Sequence, residues 1–394
     1  MFAEKYIQKN ELKFILPGLP IHPETGIIIV IPCFNEPAIT DTLDSLQQCI
    51  APKCRVEVII LINHSENSSD SLKSKSERIY NEVSLWIRRA EERKIRFLVS
   101  QPVELPSKWA GAGLARKKGM DEAVVRFNYI GKPDGLLVSL DADTLVKENY
   151  LVEIEKYFQK NPGHIGATIS FRHQLQGLNE RHRIGILLYE KYLKYYKDAV
   201  AFTGYPFSIF TIGSAFVVTA GAYVKRGGMN RRKAGEDFYF LQNLTQQGRV
   251  GEINSTTVYP SARLSERVPF GTGPIMKRWM EGNENLTQTY SLQAFSDLKD
   301  FFLLKEKLYK ISEADYYSLM EKLPEPVSAF LREDNFFSQI NNLNKNCSSL
   351  RIFSRRFFQV FNAFKILKFL NFGHEYFYRK ANLGSQVSKL MRLT

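Results

Sequence analysis

Gly26-Ile-Ile-Ile-Val-Ile-Pro32 decides the fold. A run without polar alternation has no solvent face, so the strand it forms is buried on both sides. A second such run, Val56-Glu-Val-Ile-Ile-Leu-Ile62, follows a helix-like segment at 37–49. A polar helix at 69–93, a strand at 95–100, a helix at 113–127 and a strand at 135–140 continue the alternation. Strands alternating with helices predict βαβ units, hence an α/β fold with a mostly parallel sheet flanked by helices. Beyond about residue 285, Leu, Phe and charged residues recur at helical spacing, broken by Pro324 and Pro326. The expected organisation is an extension over 1–25, a sheet domain over 26–285 and a helical, basic and aromatic region over 286–394.

With 394 residues, 44% hydrophobic and 24% charged, the chain has the make-up of a folded globular protein. Cys33, Cys49, Cys54 and Cys347 lack metal-site spacing and read as reduced thiols, which predicts a cytoplasmic protein. Residues 1–13 lack the apolar centre of a secretory signal. Residues 199–224 carry no charge and could span a bilayer by length, but Gly204, Pro206, Gly213 and Gly221 interrupt them. A buried strand at 210–219 followed by a short helix is expected there instead.

The net charge of +13 is uneven: residues 344–394 hold ten Lys/Arg against Glu375 alone, a local +9. That predicts a basic patch rather than a general polyanion binder. Phe353, Phe357, Phe361 and Phe364 share one helical face there, with Arg351, Arg355, Asn362 and Lys365 elsewhere. Such a helix suits peripheral contact with the inner face of an anionic membrane. The same pattern suits aromatic packing on the sheet domain.

In an open α/β sheet, ligands bind beyond the carboxyl ends of the strands. Those ends are Cys33-Phe-Asn-Glu36, Asn63-His-Ser-Glu-Asn67, Gln101-Pro-Val103 and Asp141-Ala-Asp143. Two carboxylates closing a buried strand are hard oxygen ligands. They suit Mg²⁺ or Mn²⁺, whose coordination is often completed by substrate phosphates. Asp141 and Asp143 also suit a plain turn. Asn35 and Pro37 also read as a helix start, and Glu236-Asp237 as first-turn acids of a helix. His173 and His182 are isolated and read as structural.

Four segments, in this order and at these intervals, resemble inverting family 2 glycosyltransferases. Ile28-Ile-Val-Ile-Pro-Cys-Phe-Asn-Glu36 resembles the family's opening strand with its Pro-x-x-Asn-Glu end. Lys108-Trp-Ala-Gly-Ala-Gly-Leu-Ala-Arg-Lys-Lys-Gly119 resembles its Gly-x-x-x-Ala-Arg helix start. Ser139-Leu-Asp-Ala-Asp-Thr144 resembles its Asp-x-Asp element, and Gly235-Glu-Asp237 its Glu-Asp element. The match spans roughly residues 26–280 and implies a GT-A (Rossmann-like) fold, a nucleotide-sugar donor and Mn²⁺ or Mg²⁺.

The resemblance also implies roles. Asp143 would bind the metal directly, with Asp141 nearer the ribose or in the metal's water shell. Asp237 would be the general base, and Glu236 would orient acceptor or base. Pro32, Phe34 and Glu36 would lie beside nucleobase and ribose, and Arg116 would reach phosphate or support Asp141. Asn63 stands where relatives often carry an aspartate facing the base, so the base is left open. The Gly-rich segment 262–273, with Arg263 and Arg267, suits a loop over the diphosphate. Arg278-Trp279 resembles part of the Gln-x-x-Arg-Trp element of processive synthases, but Ile275 holds the Gln position.

The expected function is therefore non-processive transfer of one hexosyl group, with inversion, to a glycan or lipid-linked acceptor in cell-surface glycan or glycolipid synthesis. No nucleic-acid partner is expected. One alternative is a nucleotidyltransferase making an NDP-sugar, which would place a Gly-rich basic loop where Cys33-Phe-Asn-Glu-Pro37 stands. The other is a non-catalytic polyanion-binding protein using the basic C-terminal region.

Overall fold

The structure, a computed structural model, describes residues 1–16, 18–90, 94–232, 235–265 and 271–394. It divides into two compact units, Met1–Leu178 with Thr211–Lys277, and Asn179–Phe210 with Arg278–Thr394.

The first unit is built on one sheet. Its strands are β1 (Thr25–Cys33), β2 (Arg55–Ser65), β3 (Ile95–Val99), β4 (Val103–Leu105), β5 (Leu136–Ser139), β6 (Leu145–Val146), β7 (His164–Phe171), β8 (Phe216–Thr219) and β9 (Arg249–Tyr259). They run in the order β3-β2-β1-β5-β8-β7-β9-β6, with β4 paired to β2. The four strands expected from the sequence form the parallel half: Ile29 of β1 lies opposite Val58 of β2 and Val138 of β5. Ile27 to Ile31 have no solvent exposure, as an uninterrupted apolar strand requires. The other half is mixed, since β8 runs antiparallel to both β5 and β7. The strand expected at 210–219 is confined to Phe216–Thr219, and a short helix follows it. Among the described residues no helix is long and apolar enough to cross a membrane.

The helices in chain order begin with α1 (Glu4–Lys9), α2 (Ile39–Gln47), α3 (Asp70–Arg89), α4 (Ala112–Tyr129), α5 (Tyr150–Lys160), α6 (Glu180–Phe202, in the second unit), α7 (Ala220–Arg226) and α8 (Glu236–Thr245). Most follow ordinary rules. In α2 the buried positions Ile39, Thr42, Leu43 and Leu46 form one stripe facing the core. In α3 the Ser69 side chain caps the helix by accepting from Leu72 N.

Helix α4 is different, because it is buried with its charges. Arg116, Lys117, Asp121, Glu122, Arg126 and Asn128 are all buried. The N-terminal segment and the sheet supply their partners. Tyr6 donates to Asp121 Oδ1 at 2.6 Å, and Lys117 donates to Asp121 Oδ2 at 2.7 Å. Ala3 N donates to Asn128 Oδ1 at 2.9 Å and Ile15 N to Glu122 Oε2 at 2.7 Å. Arg126 grips Glu57 through bonds of 2.7 and 2.8 Å and donates to Leu19 O at 2.9 Å. Breaking one partner from a buried pair costs about 3–5 kcal/mol. Residues 1–20 are therefore structural, and the helix they fix carries Arg116 at its start.

The second unit is helical. It holds α6, α10 (Leu292–Leu303), α11 (Glu313–Met320), α12 (Glu325–Glu333), α13 (Phe336–Lys345), α14 (Leu350–Val360), α15 (Ala363–Tyr376) and α16 (Leu383–Met391). Its core is aromatic: Phe302 meets Phe358 and Phe361 at ring centroid distances of 5.1 Å, and Phe357 stacks on Phe361 at 6.4 Å. Phe353, Phe357 and Phe361 are fully buried here. Of the two readings of this face, packing holds for these three rings, while Phe364, the fourth, is half-buried. What is left on the surface is charge, at Arg351 and Arg355. Trp279, at the end of α9 (Thr272–Glu281), donates to Arg181 O at 2.8 Å and packs where a Cβ on Gly185 would come within 2.3 Å. Arg278 pairs with Glu284.

Candidate active site

After β1 the chain turns at once. Asn35 takes φ 45°, a left-handed conformation that Asn tolerates better than most residues. The turn tucks Glu36 under the rim, where it is 2% exposed and accepts from Ala38 N at 3.2 Å. Phe34 is exposed at the same rim and Pro32 is half-buried. At the neighbouring strand end Asn63 donates to Cys33 O at 3.1 Å and Leu61 O at 3.3 Å. Both donations come from its amide nitrogen, which leaves the side-chain oxygen as the group it can offer a ligand.

The loop after β5 is tied down through its carbonyls. Thr144 N donates to Asp141 O at 3.1 Å, and Thr42 Oγ1 donates to Ala142 O at 3.0 Å. Gln174 Nε2 donates to Asp143 O at 2.8 Å and to Tyr259 O at 2.7 Å. The two aspartates are thus held on a rigid loop rather than a free strand end. Gln174 and Thr42 carried no signal in the sequence, because a backbone carbonyl accepts from any amide or hydroxyl.

Arg116 draws the rim together. One guanidinium arm donates to Asp141 Oδ1 and the other to Glu236 Oε1. Its Nε has no hydrogen-bond partner among the described residues. Backbone lies against the guanidinium: a Cβ on Gly213 would come within 2.8 Å of it, while Gly213 O accepts from Ser139 Oγ at 2.6 Å. Close approach also explains Gly113 in α4, where a Cβ would sit 2.0 Å from Arg232 O. Gly235, at φ 69°, then turns the chain into α8, whose first residues are Glu236 and Asp237. Asp237 Oδ1 accepts from Phe238 N at 2.7 Å.

Burial and crowding set the protonation of these groups. Burial, then the neighbouring Glu236 charge, push the Asp237 carboxyl up to about 7, against the pull of Arg116. Burial, then Asp141, push Asp143 up to about 7, opposed by Arg263. Glu236 is also raised, first by burial, with Arg116 opposing. Burial disfavours the charge on Arg116, but Asp141, Glu236 and Asp237 outweigh it and hold the guanidinium above its ordinary pKa.

A second arginine works nearby. Arg263 donates to Glu36 Oε1 at 2.6 Å and also pairs with Glu36 Oε2. Its guanidinium lies 2.9 Å from Asp143 Oδ2. Arg267 lies outside the described residues. Asp141 and Asp143 offer hard oxygen donors on a tied-down, half-buried loop, which fits Mn²⁺ or Mg²⁺. Among the described residues no compact group of three metal-ligating side chains occurs, so such a cation would draw further oxygens from substrate and water. His173 contacts Thr272 Oγ1 at 3.1 Å, and His182 N is capped by Asn179 Oδ1 at 2.9 Å.

The sequence-expected residues thus fall into two bonded groups, Asp141–Arg116–Glu236 and Glu36–Arg263–Asp143, which meet at the Asp141-Ala-Asp143 loop, with Asp237 next to Glu236 in the chain and Asn63 bonded to Cys33 O. Comparison with known proteins gives this rim a family. No curated protein sequence matches the chain. Solved structures similar to it include S. aureus TarS 1–349 in complex with UDP-GlcNAc, at 14% identity over 84% of this chain and 91% of that one, TM-score 0.44. Another is the mannosyltransferase PcManGT from Pyrobaculum calidifontis in complex with GDP-Man and Mn²⁺, at 13% identity over 89% and 93%, TM-score 0.39. Residues 28–223, which hold β1, β5 and the Arg116 helix start, match the family model for glycosyl transferase family 2. The chain therefore belongs to glycosyl transferase family 2, a family of glycosyltransferases.

Proposed function

We propose that this enzyme moves one sugar from a nucleotide-sugar donor to an acceptor hydroxyl by direct displacement, with inversion and without processivity. One observation carries the reading: the buried Arg116 joins Asp141, at the end of a central strand, to Glu236, beside the base candidate Asp237. Donor-side and acceptor-side carboxylates thereby share one fixed frame.

In this reading Asp237 takes the proton of the acceptor hydroxyl as it attacks the anomeric carbon, while the nucleoside diphosphate leaves from the opposite face. A carboxyl with pKa about 7 suits that work at neutral pH. Glu236, fixed by Arg116, keeps the base aligned. Asp143 and Asp141 would hold Mn²⁺ or Mg²⁺, which when bound supplies charge stabilisation to the departing diphosphate. Arg263 and Arg267 would contact phosphate. Pro32, Phe34 and Glu36 would border base and ribose. Asn63, its amide nitrogen spent on backbone, offers an acceptor to a base N–H. The acceptor we infer is a glycan or lipid-linked precursor of a surface glycan or glycolipid. Peripheral membrane contact at the inner face would rest on the exposed Arg351 and Arg355 and not on the buried phenylalanines.

The test pairs binding with turnover. A thermal-shift panel of nucleoside diphosphates, with and without Mn²⁺, should show metal-dependent stabilisation by one nucleotide. Asp237→Asn should lower the transfer rate about 10²–10⁴-fold with the melting temperature held. At saturating Mn²⁺, which would keep Asp143 ionised, the wild-type rate should rise with pH through about 7, because the base must lose its proton, and the variant should lack that rise. Full activity of Asp237→Asn would remove Asp237 from the mechanism.

A further inference from the structure

We propose that Arg263 is an internal counter-cation, which competes with a divalent metal for the carboxylate of Asp143 and exchanges it for the phosphates of a nucleoside diphosphate while staying anchored on Glu36. The proposal rests on the divalent-cation reading above and assigns the route by which the site would pass from its metal-free to its loaded state.

Glu36 and Asp143 belong to different strand ends, and the Arg263 guanidinium is what connects them. The Glu36 side chain is 2% exposed and that of Asp143 is 22% exposed, with Asp141 as a further negative neighbour. Carboxylates desolvated and crowded in this way need a positive partner. Arg263 supplies it, and it does so through Asp143 Oδ2, an oxygen whose lone pairs a metal ion would also use. Metal and guanidinium would therefore compete for the charge and lone pairs of that oxygen.

The exchange has somewhere to go. A guanidinium fork matches phosphate as well as carboxylate. With a cation held at Asp143, Arg263 would keep its bonds to Glu36 and turn the arm that faces Asp143 toward phosphate, so neither the buried Glu36 nor the guanidinium is stranded. The side chain is free enough for such a move, being 34% exposed where that of Arg116 is 3% exposed.

The test is Mn²⁺ binding, read by the loss of the free-ion signal in electron paramagnetic resonance. Wild type, R263A, R263K and D143N are titrated alone, then with UDP and with GDP. Without nucleotide, R263A should bind Mn²⁺ about tenfold more tightly than wild type, as removal of a competing partner predicts. R263K should fall between the two, and D143N should show no tight site. With the nucleotide that stabilises the enzyme, the advantage of R263A should disappear, because wild type has then released Asp143. Equal or weaker Mn²⁺ binding by R263A without nucleotide would overturn the proposal while leaving the divalent-cation reading intact. Absence of Mn²⁺ binding by wild type and R263A under every condition would overturn both. Should R263A fail to fold, R263Q, which keeps bulk without charge, provides the same comparison.

Discussion

Two arginines each join two carboxylates at the rim of the sheet unit, and they differ in what surrounds them. Arg116 starts a helix that is itself buried, its side chain is 3% exposed, and backbone at Gly213 crowds its guanidinium. Arg263 comes from an irregular segment after β9 and is one-third exposed. The same chemistry serves two purposes. A bridge made in a desolvated place is architecture, since neither partner can leave without stranding a buried charge. A bridge open to solvent is cheap to break, and a ligand can replace it.

The largest effect expected is at the buried bridge. Arg116→Ala strands Glu236 and should lower unfolding stability by about 3–5 kcal/mol, read from urea denaturation, and abolish transfer. Arg116→Lys keeps the charge but not the two-armed geometry, so it should recover stability in part and activity little. A stable, active Arg116→Ala enzyme would dissolve the contrast between the two bridges. Next comes the loop that presents the aspartates. Gln174→Ala leaves the carbonyls of Asp143 and Tyr259 without their donor, at about 1–3 kcal/mol. It should also weaken Mn²⁺ binding, whereas a solely structural Gln174 would leave that binding unchanged. Arg263→Ala should cost less stability than Arg116→Ala, because water reaches its 34%-exposed side chain, yet more than a fully exposed pair would, because it takes a partner from Glu36 at 2% exposure. A loss as large as that of Arg116→Ala would show that the outer bridge is architecture too.

The strand ends were legible in the sequence because an apolar run announces a doubly buried strand, and ligands gather where such strands stop. Glu36, Asn63, Asp141 and Asp143 all stand at or just past such strand ends. The mixed half of the sheet was less legible: β6 spans two residues, too short for a periodic signal, and of the strand expected at 210–219 only the four residues of β8 form. Gln174 and Gly213 act through backbone contacts, for which side-chain pattern is nearly silent. The phenylalanines of α14 were legible as one face, but a membrane and a protein core make the same demand on a helix face. Only the surrounding Phe301, Phe302 and Phe336 decide between them.

By itself, the sequence determined the α/β alternation, the carboxylates at the strand ends and the order of the family's motifs, all of which depend on neighbours within a few residues. Tertiary structure alone decided the pairings: Arg116 with Glu236 across 120 residues and Arg263 with Glu36 across 227. Charge complementarity at that separation has no local signature. It arises only when the sheet brings distant ends to one rim and burial makes each unpaired charge too costly to leave alone.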